Sequence, residues 1–273
     1  VDCIDKTRWY LIAEILVVFL LVGVAWGEEL ILPDQVFFHQ SVASAFGQGA
    51  VWANPAALSQ GQTGDMVIVT HQGVRLFHDW GGAVTFKFFG TAQRHLHLDG
   101  QPDLHDYIIA FGVGKQTSLG GSYRYLKGGP SYLNKRHIWT AGFIGHISQK
   151  INVGLRAENL NRDEINGVQS DIRYVYGIAA PFLHNLTTVS FEVDMTGKEN
   201  LDKADFRTGL ELRPRPGVYI YADCDNHSRF NLGFRLNIGA AYVGHYHNFD
   251  SGGKSMMGTS YFGSVTGRQP TPF

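Results

Sequence analysis

From residue 64 onward the chain falls into segments of roughly 8–11 residues in which apolar and polar side chains alternate, the length and period of a strand that crosses a bilayer. In 151–158, Ile151, Val153, Leu155 and Ala157 share one face, and Asn152, Gly154, Arg156 and Glu158 share the other. The split recurs at 186–195, where Thr187, Val189, Phe191, Val193 and Met195 oppose Thr188, Ser190, Glu192 and Asp194. At 229–238, Phe230, Leu232, Phe234, Leu236 and Ile238 oppose Arg229, Asn231, Gly233, Arg235 and Asn237; at 206–213, Phe206, Leu210 and Leu212 oppose Arg207, Glu211 and Arg213. Weaker candidates at 64–71, 81–90, 107–114, 118–126, 136–147, 172–180, 217–224, 239–247 and 256–266 bring the count to 13.

The pattern predicts an all-β protein, a transmembrane antiparallel up-and-down β-barrel. A closed bacterial barrel of one chain needs an even number of strands, so 12 or 14 are expected, with 14 favoured. Loops alternate from residue 126 onward: long at 127–135, 161–171 and 197–205, short at 148–150, 181–185 and 214–216. Long loops are assigned outside the cell and short ones to the periplasm. Extending this phase backwards makes 90–106 an external loop and demands one more strand before residue 64.

The N-terminus changes the picture by adding export. Lys6 and Arg8 precede an apolar run over 9–26, broken only by Glu14, and Ala25 and Gly27 stand at −3 and −1 of a cut before Glu28. The pattern predicts a cleaved secretory signal over 1–27. A retained anchor is the alternative, since the run approaches the ~20 residues that span a bilayer. The domain reading is then a signal (1–27), an N-terminal segment (28–62), a barrel (63–266) and a tail (267–273). Only Cys224 of the two cysteines would survive cleavage, which leaves no intrachain disulfide.

A soluble sheet also has one wet and one buried face. Three features favour the membrane. Charges of both signs lie on the polar faces (Arg124, Arg156, Glu158, Arg173, Glu192, Arg207, Glu211, Arg229, Arg235), as a neutralised lumen requires. Aromatics lie towards strand ends at Trp80, Tyr107, Tyr125, Trp139, Tyr219, Tyr246 and Tyr261, where an interfacial girdle would place them. The third is the export signal.

Between the signal and the first strand, 47–58 reads Gly-x-Gly-Ala-x-x-x-Asn-Pro-Ala-x-Leu, carried by Gly47, Gly49, Ala50, Asn54, Pro55, Ala56 and Leu58. This motif resembles the N-terminal signature of the FadL/TodX outer-membrane transporter superfamily and the related PorV/PorQ family. The resemblance implies a 14-stranded barrel whose N-terminal segment folds into or against the lumen as a hatch. It covers about a dozen residues; elsewhere the likeness is one of strand rhythm, and both the chain and its external loops are short for a fatty-acid transporter.

Composition removes other classes. A net charge of −1, with no Lys/Arg run and no finger spacing, argues against nucleic acid. No Gly-x-Ser-x-Gly elbow, phosphate loop or His-Glu-x-x-His helix occurs, so no enzyme and no cofactor are expected. Asp163 with Glu164, and Glu192 with Asp194, are carboxylate pairs assigned to solvation or charge balance. His95 with His97, and His245 with His247, stand two apart on one side of a strand, where rim positions are expected rather than a metal site.

The expected function is a barrel for hydrophobic or exported cargo. Gly47, Gly49, Asn54 and Pro55 would shape the hatch, and Arg156, Glu158, Glu192, Arg207, Glu211 and Arg235 would line the lumen. Expected partners are outer-membrane lipid and either a hydrophobic small molecule or secretion-system proteins. Two alternatives stay open: the membrane domain of a longer, peptidase-like chain, and a soluble periplasmic β-sheet binding module.

Overall fold

The computed structural model describes residues 40–266 apart from 48, 62–63, 73–78, 99, 149–150, 166–167 and 184–185. The expected signal (1–27), the first part of the N-terminal segment (28–39) and the tail (267–273) lie outside the described residues.

Fourteen strands close into one antiparallel barrel. They are β1 (Gly64–Gln72), β2 (Asp79–Phe86), β3 (Phe89–Leu96), β4 (Leu104–Gly114), β5 (Thr117–Gly128), β6 (Arg136–Ser148), β7 (Ile151–Glu158), β10 (Arg173–Phe182), β11 (Thr187–Thr196), β12 (Asp205–Arg215), β13 (Val218–Asp225), β14 (Phe230–Ile238), β15 (Ala241–Phe249) and β16 (Ser255–Thr266). A two-residue pair, β8 (Glu164–Ile165) with β9 (Val168–Gln169), sits in the loop between β7 and β10. Each barrel strand pairs with its neighbour in sequence, and β1 closes the ring on β16 from Gly64↔Thr266 to Gln72↔Gly258.

Polarity is reversed relative to a soluble protein. Along β14, Phe230, Leu232, Phe234, Leu236 and Ile238 are 38–71% exposed, while Arg235 between them is 2% exposed. Met66, Ile68, Ile109, Phe111, Leu119, Ile178, Phe191 and Phe262 repeat this around the wall, and Arg94 and Asp106 are fully buried inside. An apolar exterior, interrupted along β3, around an interior that buries charged side chains beside an apolar cluster suits hydrocarbon outside and a filled lumen with polar groups within.

The expectation of 14 strands holds, but the missing strand is β3 and not one before residue 64. The candidate over 81–90 merged the end of β2 with the start of β3, and 90–106 shrinks to a loop over 97–103. Two physical reasons hid β3. Its outward face, Phe89, Thr91, Gln93 and His95, is mostly polar, which erases the alternation. The turn before it is Lys87-Phe88, without a Gly, Asn or Pro signal, and Phe88 itself adopts the left-handed φ of 74°.

Turns at one end of the barrel are short, as at 87–88, 115–116, 216–217 and 239–240; the longest loops, 159–172 and 197–204, lie at the other end. The N-terminal segment enters β1 at the short-turn end. The expected girdle is corrected in part. Trp80, Tyr107 and Trp139 are exposed outward, whereas Tyr246 and Tyr261 are buried in the lumen; Tyr219 also faces inward, against Arg235. They alternate with apolar neighbours such as Ile220 and Phe262, and it is those neighbours that face out.

The apolar exterior gives a direct prediction. Phe234→Arg places a charge at mid-strand on the outer wall and should destabilise the inserted barrel by about 2–4 kcal/mol. Asn231→Arg, on the inner face, should cost less. Urea unfolding in lipid vesicles, read by the heat-dependent gel shift, compares the two.

Candidate functional site

Residues 40–61 occupy the lumen. Gly49–Ala53 form a short helix, α1, and Pro55–Ser59 a 3-10 turn. Asn54 separates them in an extended conformation (φ −160°, ψ 109°), as the residue before proline prefers, and its side chain caps the turn by accepting from Ala56 N at 3.1 Å. Pro55 at the first turn position gives up an N–H that would have no partner there.

Asn54 is fully buried and ties the segment to the wall. Its Nδ2 donates to Val42 O (2.8 Å), Phe143 O (3.0 Å) and Leu155 O (3.4 Å), reaching β6 and β7. The wall yields space for this. A Cβ on Gly142 would lie 2.1 Å from Asn54 Oδ1, and one on Gly154 would lie 2.2 Å from Val42 O. Three more ties follow: Arg156 Nη1 donates to Trp52 O (2.9 Å) and Ala53 O (3.2 Å), Val42 N donates to Glu192 Oε1 (2.5 Å), and the Arg94 guanidinium sits 5.3 Å from the Trp52 ring centre.

The other expected shaping residues also serve the segment's own fold. Gly47 adopts a left-handed φ of 55° beside Asp65. Gly49 passes so close to the Gln40 side chain that a Cβ would lie 1.9 Å from Gln40 Oε1.

Beside the segment, charges form a belt across six strands. Asp106 on β4 takes Arg94 Nη2 from β3 at 2.6 Å and Arg124 Nη2 from β5 at 2.8 Å. Arg124 reaches Glu158 on β7 at 3.6 Å, Glu158 meets Arg173 on β10 at 3.6 Å, and Arg173 is ion-paired with Asp194 on β11. Each charge of the belt thus has a partner, which is the condition for tolerating it away from water. A cavity of about 110 Å³ lies between belt and segment, lined by Trp52, Arg124, Arg156, Glu158, Arg173, Glu192, Asp194, Arg207 and Arg229 among others.

Of the expected lumen residues, Arg156, Glu158, Glu192 and Arg207 meet at this cavity. Glu211 does not; it accepts from Arg213 Nε at 2.5 Å and lines a smaller space near Gln40 and Tyr221. Arg235 lies in a separate cavity at the short-turn end. Sequence reading missed Arg94 and Asp106, whose strand and strand start were assigned to a loop, and Trp52, which carries no signal until the segment is seen against Arg94.

Across the lumen, tyrosines fill the space near β12–β16. Tyr242 donates to Asp65 Oδ1 and Tyr246 to Asp223 Oδ2, both at 2.7 Å. Tyr242 lies over Gly263, where a Cβ would meet its ring at 2.2 Å, a device that fills the hole left by a strand glycine.

The paired histidines have different partners. His95 Nδ1 lies 3.4 Å from His105 Nδ1 across the β3–β4 pair, while His97 Nδ1 lies 2.8 Å from Asp103 Oδ1. His245 lies 3.1 Å from Ser260 Oγ. The His97 hydrogen bond holds the Asp103 carboxyl below its usual range; partial desolvation opposes this, and the charges of His95, His97 and His105 add to it.

Two predictions follow. Asn54→Ala removes a donor shared by three carbonyls and should cost about 1–3 kcal/mol; limited proteolysis within 40–61 should accelerate, and more so in Gly142→Val, whose side chain takes Asn54's place. At the rim, a carboxyl whose folded pKa is depressed stabilises above its unfolded value, 3.8, and loses that contribution as pH falls through the folded value. The difference in thermal midpoint between wild type and Asp103→Asn should therefore be full at neutral pH, begin to shrink only below the unfolded value of 3.8, and vanish below the lower folded value.

No protein-family model matches the chain, and no curated protein matches it. Solved structures to which it is similar include the Acinetobacter baumannii outer membrane protein Omp33, at 8% identity and a TM-score of 0.49, covering 76% of this chain and 98% of that one. A triple mutant of the Rhodopseudomonas blastica porin is similar at 7% identity and a TM-score of 0.42, covering 76% of this chain and 99% of the porin. The strand count, closure and polarity described above rest on the chain's own geometry.

Proposed function

We propose that this chain is a bacterial outer-membrane barrel whose lumen is stoppered near its periplasmic end by residues 40–61, and that it acts as a gated channel. The observation that carries the reading is the seating of that segment, in which hydrogen bonds from polar and charged side chains tie it to the wall. Asn54, Arg156 and Glu192 hold it through hydrogen bonds between segment and wall, beside an apolar contact in which Ala50, Val51, Ala56, Ala57 and Leu58 meet wall residues such as Ala92 and Ile108. The hydrogen bonds can be exchanged for water at modest net cost, and the alanines of the segment bury little apolar area each, which is what a movable stopper needs.

Residues 40–61 then play the hatch role implied by the resemblance to the FadL/TodX and PorV/PorQ families. The cargo differs from that expectation. A vestibule lined by Arg124, Arg156, Glu158, Arg173, Glu192 and Asp194 suits a polar or charged solute better than a hydrophobic one. A fourteen-stranded ring is also wider than the eight-stranded barrels that side chains alone can fill, so the lumen needs the segment to be closed.

Planar-bilayer recording of the purified barrel tests this, with envelope fractionation and the heat-dependent gel shift verifying insertion. Wild type should show low, infrequent conductance, and deletion of 40–61 should raise it at least tenfold. Equal conductance in the two proteins contradicts the stopper; silence in both, with insertion verified, contradicts the channel.

A further inference from the structure

Arg235 stands apart from every other buried arginine described above. It is 2% exposed, yet among the described residues no carboxylate lies within ion-pairing distance of it. Its Nε donates to Asn237 Oδ1 at 2.8 Å, its guanidinium lies 3.7 Å from the Tyr242 ring centre and 5.6 Å from that of Tyr219, and its Nη2 has no hydrogen-bond partner. The carboxylate whose charge reaches it, Glu211, is already bonded to Arg213 at 2.5 Å. Stacking on tyrosine offsets part of the cost of burying a cation, but an uncompensated buried charge remains expensive.

The same residue lines a cavity of about 460 Å³ at the short-turn end. Asn237, Gly239, Ala240, Ala241, Tyr242, Val265 and Thr266 complete it, so that one cation faces a space whose walls are otherwise small, apolar or uncharged polar. Among the described residues no second basic residue contributes. One fixed positive charge balances a monoanion, whereas a dianion such as hydrogen phosphate would bring a surplus negative charge with no cation to meet it among the lining residues. Guanidinium matches the planar, two-oxygen geometry of a carboxylate. The alanines and Val265 leave room for a short apolar group behind it.

We infer that the turn-end cavity around Arg235 binds a small organic monocarboxylate. The site shares no lining residue with the cavity beside residues 40–61, and it stands or falls independently of the stopper. A carboxylate bound there completes the charge balance of the β12–β16 side as Asp106 and Glu158 complete it on the other.

Saturation-transfer NMR on the intact barrel in detergent, with acetate and butyrate as probes, tests the assignment. Wild type should transfer saturation to the probe's methyl protons, saturably. Arg235→Gln, verified as folded by its heat-dependent gel shift, should abolish it, and Lys115→Gln, which removes an exposed charge at the same end, should leave it intact. Should Arg235→Gln fail to fold, Val265→Trp fills the cavity while keeping the guanidinium and should abolish the signal equally. No saturable transfer in wild type, or transfer unchanged in Arg235→Gln or Val265→Trp, overturns the site. Displacement of acetate by an equal concentration of inorganic phosphate overturns the monocarboxylate assignment.

Discussion

The antiparallel pairing of β1 with β16, nine residues from Gly64↔Thr266 to Gln72↔Gly258, is the contact on which the rest depends. In hydrocarbon there is no water to satisfy a strand's free edge, and each open N–H or C=O would cost several kcal/mol. Closing the ring removes both edges at once. It also fixes which side of every strand is inside, and so commits Arg94, Asp106 and Arg235 to the lumen and Ile68, Phe111 and Phe234 to the wall.

Closure creates a second problem, the space it encloses. The chain fills that space with two different materials. On the β3–β11 side it uses backbone: residues 40–61 pack against Gly142 and Gly154, where the wall has no side chain to refuse them. On the β12–β16 side it uses tyrosine side chains laid over glycines and anchored by their hydroxyls to Asp65 and Asp223. The charged belt from Arg94 to Asp194 lies between solvent and the backbone filling, and it is neutral because arginines and carboxylates alternate along it. A lumen filled with tyrosine throughout would be static. Filling one side with a separate segment held by Asn54, Arg156 and Glu192 is the feature on which the proposed gating rests.

Much of this was legible in sequence because a membrane barrel writes its two solvents into alternate residues. The clean strands, β7, β11 and β14, have wholly apolar outer faces over most of their length, and their boundaries followed to within a residue or two. β3 was hidden because Thr91, Gln93 and His95 face outward and its turn has no glycine or proline. Direction along a strand was legible; role within the lumen was not. Glu192 and Glu211 are indistinguishable by alternation, yet one receives Val42 N and the other only Arg213. Likewise Tyr246 and Tyr261 read as girdle residues because aromatic character suits both an interface and a tightly packed interior, and only the register of β15 on β16 decides between them.

The most direct test of the central claim, that one chain of alternating residues separates hydrocarbon from a filled polar lumen, is spin-label accessibility along β14. Nitroxides would be placed singly at 230–238 in a background with Cys3 and Cys224 replaced by serine, and the barrel reconstituted in bilayers. Collision with oxygen should peak at 230, 232, 234, 236 and 238 and fall at 231, 233, 235 and 237, with a water-soluble nickel chelate excluded from the first set. A profile without the two-residue period, or nickel access along the outer face, would contradict it.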